Sequence, residues 1–181
     1  MLRGERVVLR GRREEDVAVL TEELFEDVET FSRAASGAWR PLALGEPSPY
    51  GAKEPSERAA HFSVVDRTSD ELLGVAALWG IDAHNRCAHV GVSLRPAARG
   101  SGYGVDTVGV LCEYAFRVLG LHRLGLETLA DNEEMLAVAK RCGFLLEGHA
   151  RESSWVSGCF VDDVSFGLLA TEWARRAHAA G

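Results

Sequence analysis

The sequence predicts an α/β (α+β) fold in which a central mixed, mostly antiparallel sheet carries helices on both faces. Short apolar runs with a period of two recur along the chain and meet at hairpin turns, which is typical of antiparallel strands. Apolar residues spaced three and four apart predict amphipathic helices that lie against such a sheet. One strand, loop and helix unit, over residues 87–119, interrupts the hairpins in the middle of the chain.

The composition predicts one domain over residues 1–181. With 181 residues, 46% of them hydrophobic, the chain can fill a single core. Asp and Glu total 27 against 20 for Lys and Arg, a formal charge of -7, and basic residues form no cluster. We therefore expect no nucleic-acid partner, and an acidic surface favours a cationic or amine-bearing ligand.

The N-terminus has no apolar core of a secretory signal, and no stretch approaches the roughly 18 apolar residues of a membrane span. These features predict a cytoplasmic protein without membrane contact.

The cysteines are far apart in the sequence and lack the spacing of a zinc or redox site, so we expect reduced, mostly buried thiols and no metal. They are Cys87, Cys112, Cys142 and Cys159.

The first third of the chain predicts a strand over residues 6–10 and then an amphipathic helix over 14–28. Its apolar residues recur at helical spacing, as Val17, Leu20 and Leu24 illustrate. Prolines and glycines interrupt residues 31–57, which are therefore predicted to be a loop or short irregular helix. A loop of this length in a compact domain is usually functional.

The middle of the chain predicts three strands, over residues 61–66, 72–81 and 87–94. The first two are joined by a turn at 68–70, and a loop at 83–86 leads to the third. In the third strand, side chains alternate between two faces. The apolar face is expected in the core, and the other, with His89, Gly91 and Ser93, is available for a site.

The last part of the chain predicts two further helices and three further strands before a C-terminal helix. Pro96 ends the strand that precedes the glycine loop, and a helix is predicted over 105–119. A strand at 123–129 follows, then a helix capped by Asp131 or Asn132 and ended by Gly143. Strands at 144–157 and 160–169 form a hairpin, and a helix over 171–178 follows.

The glycine loop, with the sequence RGSGYG, lies between a strand and a helix. Glycines allow the backbone to approach a ligand closely, and N–H groups at a helix start attract phosphate oxygens. The string alone is also compatible with an ordinary turn. The chain lacks the Lys-Ser or Lys-Thr of a Walker A loop, and the order of elements is unlike that of a doubly wound dinucleotide fold.

Together, this element order and loop resemble the GNAT acetyltransferase superfamily, whose pyrophosphate motif is R/Q-x-x-G-x-G/A. The resemblance is strong over residues 86–173, which are similar to the branch of ribosomal-protein N-terminal and spermidine acetyltransferases. The first eighty residues match more loosely. The resemblance implies a GNAT fold that binds acetyl-CoA, or another acyl-CoA, in a splay between two parallel strands, 87–94 and 123–129.

The resemblance also implies which residues contact the acyl-CoA. Backbone groups near the end of one strand would pair with the pantetheine arm, the glycine loop would hold the pyrophosphate, and one asparagine would bond the pantetheine. They are Val92, Leu94 and Arg95; Arg99, Gly100, Ser101, Gly102, Tyr103 and Gly104; and Asn132. Asn132 can equally be only a helix cap, and both interpretations stay open.

We expect the acyl group to pass directly to an amine in a ternary complex, because no Cys or Ser is paired with a recognisable base. Direct transfer needs a base and an acid. The glutamate of a common A-E-I-G-Y strand pattern is replaced here by His89, which can act as a base near neutral pH. The alternative is a strand histidine satisfied by a neighbour. Weaker candidates for the base are Glu127, Glu147, Glu152 and His84.

The acid that protonates the thiolate stays unassigned. Many relatives place a tyrosine where this chain has Ala139, and the branch often has a serine where it has Met135. Tyr103, Ser101 or a water are open alternatives, as is stabilisation of the thiolate by a helix N-terminus.

On the acceptor side, Trp39 and Trp155 are predicted to line the pocket for the amine, and Trp79 is expected to pack in the core. For Trp155, packing within the fold is an equal alternative that stays open. The acceptor can be a peptide N-terminus, a polyamine, an aminoglycoside or a small metabolite amine. Two alternatives stay open: a non-catalytic acyl-CoA-binding module, and an enzyme that uses succinyl-CoA. Analogy with relatives implies a homodimer.

Overall fold

The computed structural model describes residues 1–35, 37–54 and 56–179, with side chains as far as Arg176. In this part of the chain an open sheet of eight strands has the order β1-β2-β3-β4-β5-β6-β8-β7. Neighbouring strands are antiparallel except for the parallel pair β5 and β6. The strands are β1 Leu2–Arg3, β2 Val7–Arg10, β3 Ala59–Asp66, β4 Leu72–Asp82, β5 Cys87–Leu94, β6 Arg123–Leu129, β7 Leu145–Val156 and β8 Cys159–Leu169.

Five α-helices accompany the sheet in the described residues. The first and third continue into π-helical turns, at Glu22–Glu26 and Tyr114–Val118, and a short 3-10 turn follows β5 at Pro96–Ala98. None of the described helices has the length and apolar character needed to cross a membrane. The helices are α1 Glu14–Thr21, α2 Val28–Ala34, α3 Tyr103–Glu113, α4 Glu133–Cys142 and α5 Ala170–Ala179.

Helices cover both faces of the sheet, as the sequence predicts. Ser63 and Val64 are neighbours on β3 and therefore point to opposite faces. The Ser63 hydroxyl donates to the Asp16 carboxylate of α1 over 2.6 Å. Val64 lies in the hydrophobic core with Val108 and Leu111 of α3, and all three are fully buried. The core that fixes the position of α3 thus lies on one face, and α1 lies on the other.

A buried ion pair joins α1 to β2. The Arg10 guanidinium donates to both carboxylate oxygens of Asp16, over 2.7 and 2.9 Å, and the two side chains are only 6% and 2% exposed. Burial opposes ionisation of Asp16, but the hydrogen bonds from Arg10 and Ser63 lower the pKa of the carboxyl to about 2. The pair therefore stays ionised at neutral pH.

The predicted helix over residues 14–28 is confirmed as far as Glu26, and it is interrupted at Asp27. After the π-helical turn the backbone becomes extended at Asp27, whose φ is -74° and ψ 97°. The Asp27 carboxylate accepts hydrogen bonds from the N–H groups of Glu29 and Thr30 and so begins a separate helix, α2. This helix continues to Ala34 and so covers the first four residues of the predicted loop.

The remaining predicted elements are present with small shifts in their bounds. Strand β1 was not predicted; it pairs Leu2 with Leu9 at the edge of the sheet. Helix α3 begins at Tyr103, two residues earlier than expected, because the glycine loop leads directly into it. Of the predicted loop, residues 37–54 contain no helix or strand, and Pro55 lies outside the described residues.

Candidate active site

The parallel strands β5 and β6 separate part way along their length. They pair from Cys87 with Arg123 as far as His89 with Gly125. β5 then continues to Leu94 and β6 to residue 129, beyond the last pair between them. A cleft therefore opens between the second halves of the two strands, as the resemblance predicts, and His89 lies where it begins.

Two backbone positions on β5 face this cleft. The Arg95 N–H donates to the Leu73 carbonyl over 2.8 Å, towards β4. Because peptide groups of successive strand residues point to alternate sides, those of Val92 and Leu94 point towards β6. The Arg95 side chain is held by two hydrogen bonds to Glu23, of 3.0 and 2.5 Å. Val92 thus presents its backbone N–H and carbonyl to the cleft, and Leu94 presents its N–H, because the Leu94 carbonyl accepts from Arg99. The backbone N–H and the side chain of Arg95 are instead bonded within the fold.

The glycine loop connects the 3-10 turn after β5 to the first residue of α3. Gly100 and Gly102 have φ values of 70° and 84°, in the left-handed region that favours glycine. Gly102 is the N-cap residue of α3 and has no side chain to cap the helix. The N–H groups of the first helical turn therefore remain available to an external acceptor, which is the arrangement that binds phosphate at helix N-termini.

Residues distant in sequence hold this loop in place. The Arg6 guanidinium donates to the Ser101 carbonyl over 2.5 Å and lies 4.5 Å from the centre of the Tyr103 ring. The Tyr103 hydroxyl donates to Asp66 over 2.8 Å, and this hydrogen bond raises the pKa of the phenol. The Asp106 carboxylate accepts hydrogen bonds from three successive N–H groups, those of residues 5–7. Sequence reasoning missed Arg6, Asp66 and Asp106, because each acts across at least 37 residues.

Two other residues of the loop contact the elements around it. Arg99 donates from Nε to the Leu94 carbonyl over 3.1 Å, so the loop is tied to the end of β5. A Cβ added at Gly104 would lie 3.2 Å from Val138 of α4. The third glycine therefore permits α3 and α4 to pack closely.

Asn132 is the N-cap residue of α4. Its side-chain oxygen accepts from the Met135 N–H over 3.2 Å, and its amide nitrogen donates to the Thr128 hydroxyl over 3.1 Å. Both ends of the amide therefore have partners within the chain, which supports the capping interpretation; its contact with pantetheine stays a prediction. Ala139, where many relatives have a tyrosine, is fully buried within α4.

The His89 ring is held between two neighbouring strands. It stacks on the Trp79 indole of β4, with ring centres 4.4 Å apart and planes inclined by 22°. On the β6 side, a Cβ added at Gly125 would lie 3.0 Å from His89 Nδ1. Trp79 is 45% exposed, so the expectation that it packs in the core is wrong. Sequence reasoning missed the roles of Trp79 and Gly125 because both depend on strand register.

Among the alternative bases named from the sequence, Glu127 is the one with a carboxylate close to His89. Its Oε1 lies 3.8 Å from His89 Nδ1. Glu147 is bound by both terminal nitrogens of Arg123, and this hydrogen bonding lowers the pKa of its carboxyl. The backbone N–H of Glu152 donates to Asp162, in the β7–β8 hairpin.

The two predicted acceptor-lining tryptophans lie in different parts of the fold. Trp39 donates from its indole N–H to the Phe25 carbonyl over 2.7 Å and packs against the Phe25 ring, near the end of α1. Trp155 lies near the tip of the β7–β8 hairpin, is 62% exposed and contacts Phe160 edge to face. The contacts that we observe link neither of them to His89.

The cysteines are free thiols. Cys112 is buried, Cys87 and Cys142 are half-buried and Cys159 is exposed, so fewer are buried than expected. Burial raises the pKa of Cys142 to about 11 and that of Cys112 further, which keeps both protonated at neutral pH. Among the described residues, no His, Cys, Asp or Glu side chains cluster in a set of three that could hold a metal ion.

Related proteins share this architecture. The crystal structure of spermidine N-acetyltransferase from Vibrio cholerae, in complex with CoA and spermine, superimposes with a TM-score of 0.78 at 19% identity. The superposition covers 93% of this chain and 98% of that one. At that level of identity the similarity establishes the fold.

Sequence relatives match over shorter regions. A Bacillus subtilis (strain 168) protein, whose name assigns it provisionally to the ribosomal N-acetyltransferases, is 36% identical over 102 residues, 56% of this chain and 56% of its own. The spermidine N(1)-acetyltransferase of Vibrio cholerae is 25% identical over 120 residues, 66% of this chain and 69% of its own. The ribosomal-protein-serine acetyltransferase of Escherichia coli (strain K12) is 29% identical over 96 residues, 53% of each chain. This chain thus spans between half and about two thirds of the length of these relatives.

The family described as "Acetyltransferase (GNAT) domain" matches residues 6–145, which include the strands β5 and β6, the glycine loop and His89. This match covers most of the chain. The chain belongs to the GNAT acetyltransferase family.

Proposed function

We propose that this protein is an N-acetyltransferase that moves an acetyl group from acetyl-CoA to a primary amine by direct transfer in a ternary complex. The observation that carries the proposal is the separation of β5 and β6 after the pair His89 and Gly125, beside the glycine loop at the start of α3. The cleft, the loop and the imidazole are the three parts that such a reaction needs. Family membership supports the same chemistry.

The cleft fits CoA in two respects. The backbone groups of Val92 and Leu94 that point away from β4 offer a strand-like edge to the amides of a pantetheine arm. The left-handed glycines Gly100 and Gly102 leave room for a diphosphate against the uncapped first turn of α3, where N–H groups and the helix dipole favour anions. Arg99 adds a positive charge to the same loop. Asn132 would contact the pantetheine by its exposed edge, in addition to capping α4.

The amine must lose a proton as it attacks the thioester. Its nitrogen forms the new C–N bond while the C–S bond breaks, and the electron pair of that bond leaves with the thiolate. His89 Nε2, at the start of the cleft, accepts the proton from the amine, directly or through water. The thiolate takes its proton from solvent, since the Tyr103 hydroxyl already donates to Asp66 and Ala139 is buried.

Direct transfer is favoured over a covalent acyl-enzyme. The half-buried Cys142 and the buried Cys112 have raised pKa values, so neither thiol is a ready nucleophile. A ternary complex requires that the amine and acetyl-CoA bind together. The test is initial-rate kinetics with both substrates varied: intersecting reciprocal plots are expected, and parallel plots would contradict direct transfer.

The acceptor is a primary amine, and two classes lead. Relatives are named for spermidine and for ribosomal proteins, so a polyamine and a peptide N-terminus are the first candidates. The formal charge of -7 favours a cationic acceptor. The exposed face of Trp79 beside His89 can receive an alkylammonium group, and Trp39 and Trp155 remain proposed contacts for more distant parts of the acceptor.

Thiol release from acetyl-CoA, measured with a panel of amines, tests this function. The panel contains spermidine, aminoglycosides, small metabolite amines and short peptides with free or blocked N-termini. Release that depends on the amine, with the acetylated product identified by mass spectrometry, is expected. CoA binding without turnover of any amine would instead favour a non-catalytic acyl-CoA-binding module, and faster release from succinyl-CoA would change the donor.

The role of His89 has a separate test. In His89→Ala, kcat should fall and the acidic limb of the pH profile of kcat/KM should disappear, because the group that must be unprotonated is gone. Binding of CoA should be retained, since the glycine loop is untouched. An unchanged pH profile in His89→Ala would eliminate His89 as the base.

We also propose a homodimer that forms through β7, in the cytoplasm. β7 is the last strand of the sheet, so its outer edge has no neighbouring strand in the described residues. Four large apolar side chains on the β7–β8 hairpin are about 60% exposed: Leu145, Leu146, Trp155 and Phe160. Light scattering should give twice the monomer mass, and Leu146→Glu should halve it; a monomeric wild-type protein would refute the dimer.

Free thiols suit a reducing compartment such as the cytoplasm, and cell fractionation would check this location.

A further inference from the structure

The His89 ring contains a buried polar atom without a partner. Nδ1 is shielded from solvent and has no hydrogen-bond partner among the described residues. A buried polar group left without a partner destabilises the fold. The side chain as a whole is still 37% exposed, so one part of the ring reaches solvent while Nδ1 does not.

Neighbouring residues lie close to the ring on two sides. Trp79 covers one face of it at a ring-centre distance of 4.4 Å. On the β6 side, a Cβ added at Gly125 would lie only 3.0 Å from Nδ1, so little space separates the ring from this strand. A source of a partner for Nδ1 is therefore β6, the strand that lies beside this part of the ring.

Glu127 is placed to be that partner. It is two residues beyond Gly125, the partner of His89 on β6, so its side chain points to the same face of the sheet as that of His89. Its Oε1 is 3.8 Å from Nδ1, about 1 Å longer than a hydrogen bond, and its side chain is 59% exposed and free to rotate. Of the other groups on this face of the flanking strands, Arg123 is bound to Glu147, Trp79 carries no charge and Cys87 is a half-buried thiol.

We propose that Glu127 is a positioning residue for His89. Its carboxylate accepts a hydrogen bond from the Nδ1–H group of the imidazole, which leaves Nε2 unprotonated and directed to the amine. This inference rests on the proposed function, in which Nε2 takes the proton of the attacking amine. When Nε2 gains that proton, the imidazolium is stabilised by the adjacent carboxylate. Glu127 itself neither gains nor loses a proton, in the way that a third group orients a catalytic base.

The test compares Glu127→Ala with Glu127→Gln and with a charge-matched control, Glu113→Ala. Glu113 lies at the end of α3, paired on the surface with Arg117. In Glu127→Ala, kcat should fall about 10- to 100-fold while the KM for acetyl-CoA changes less than twofold, as is typical when a supporting hydrogen bond is lost. Glu127→Gln, whose amide oxygen can still accept from Nδ1, should recover part of the loss. Glu113→Ala should resemble the wild type.

A direct readout of the ring separates this inference from the proposed function. Long-range nitrogen–proton NMR of the full chain, with His89 assigned by its loss in His89→Ala, reports which ring nitrogen carries the proton. The wild type should show the Nδ1–H form, and Glu127→Ala should lose that preference. If Glu127→Ala has the wild-type tautomer of His89 and the wild-type kcat, the inference is overturned, but the proposed acetyltransferase function stands. Activity that survives His89→Ala but not Glu127→Ala would also overturn it, because Glu127 would then be the base. If no amine is acetylated, the function fails, and the NMR result still decides whether Glu127 orients His89.

Discussion

Replacing Gly125 by alanine should displace the His89 ring without touching the proposed CoA site. The added Cβ would lie 3.0 Å from Nδ1 and 3.2 Å from Cε1 of His89. Non-bonded heavy atoms at their optimum are about 3.5–4.0 Å apart, so the ring must retreat by roughly half an ångström or more. Trp79 stacks on its other face, so this retreat disturbs a second residue.

The size of the effect follows from this geometry. A catalytic group misplaced by up to about 1 Å can cost up to about 100-fold in rate, so kcat should fall roughly 10- to 100-fold. Overpacking of this kind costs about 1–3 kcal/mol of unfolding free energy, offset in part by about 0.4–1 kcal/mol because alanine restricts the unfolded chain. The melting temperature should therefore fall by only a few degrees.

The assay is thiol release under saturating acetyl-CoA with the fastest amine of the panel, together with the thermal shift that CoA causes. Gly109→Ala is the matched control, because a Cβ at this exposed position of α3 meets nothing within 4 Å. It should keep the wild-type kcat. Gly125→Ala should keep the CoA-induced shift while losing kcat. A wild-type kcat in Gly125→Ala would refute the argument that the position of His89 limits transfer.

Two other substitutions test the account. Asp16→Ala leaves Arg10 buried without its partner and should lower the unfolding free energy by about 3–5 kcal/mol at pH 7. The pKa of Asp16 is about 2 in the fold and near 4 when unfolded, so the pH-linked part of this stabilisation, about 2.6 kcal/mol, is present above about pH 4 and is lost as the pH falls towards 2. Urea melts should show the difference between the two proteins narrowing in acid, and a constant difference would contradict the assignment. Tyr103→Phe removes the hydroxyl that donates to Asp66 and should leave kcat unchanged, whereas a large fall in kcat would make Tyr103 the missing acid.

Much of the backbone structure around the glycine loop could be predicted from the sequence because its signals are local. The strand β5 shows its alternation directly, and the run RGSGYG marks a turn that needs left-handed backbone, found at Gly100 and Gly102. The break at Asp27 also had a local signal, since aspartate is a preferred N-cap residue at the start of a helix. That signal was outweighed by the helical spacing that continues across it.

The neighbours of His89 could not be predicted, because a bulge changes the register between β4 and β5. Asp82 pairs with Cys87, and counting back from that pair would place Gly80 opposite His89. The irregularity between Trp79 and Asp82 instead brings Trp79 opposite His89. A shift of one residue in the pairing of two strands moves every side chain to the opposite face of the sheet. Without knowledge of the bulge, the contact between Trp79 and His89 could not be predicted.

The central claim is that the glycine loop and the cleft beside it bind CoA, and titration calorimetry with CoA tests it most directly. The wild type and Gly109→Ala should bind one CoA per chain with equal affinity. Gly102→Val, which forces a branched side chain into a backbone with φ of 84°, should bind at least tenfold more weakly, a loss of about 1.4 kcal/mol or more. No binding by the wild type, or equal affinity in folded Gly102→Val, would contradict the claim.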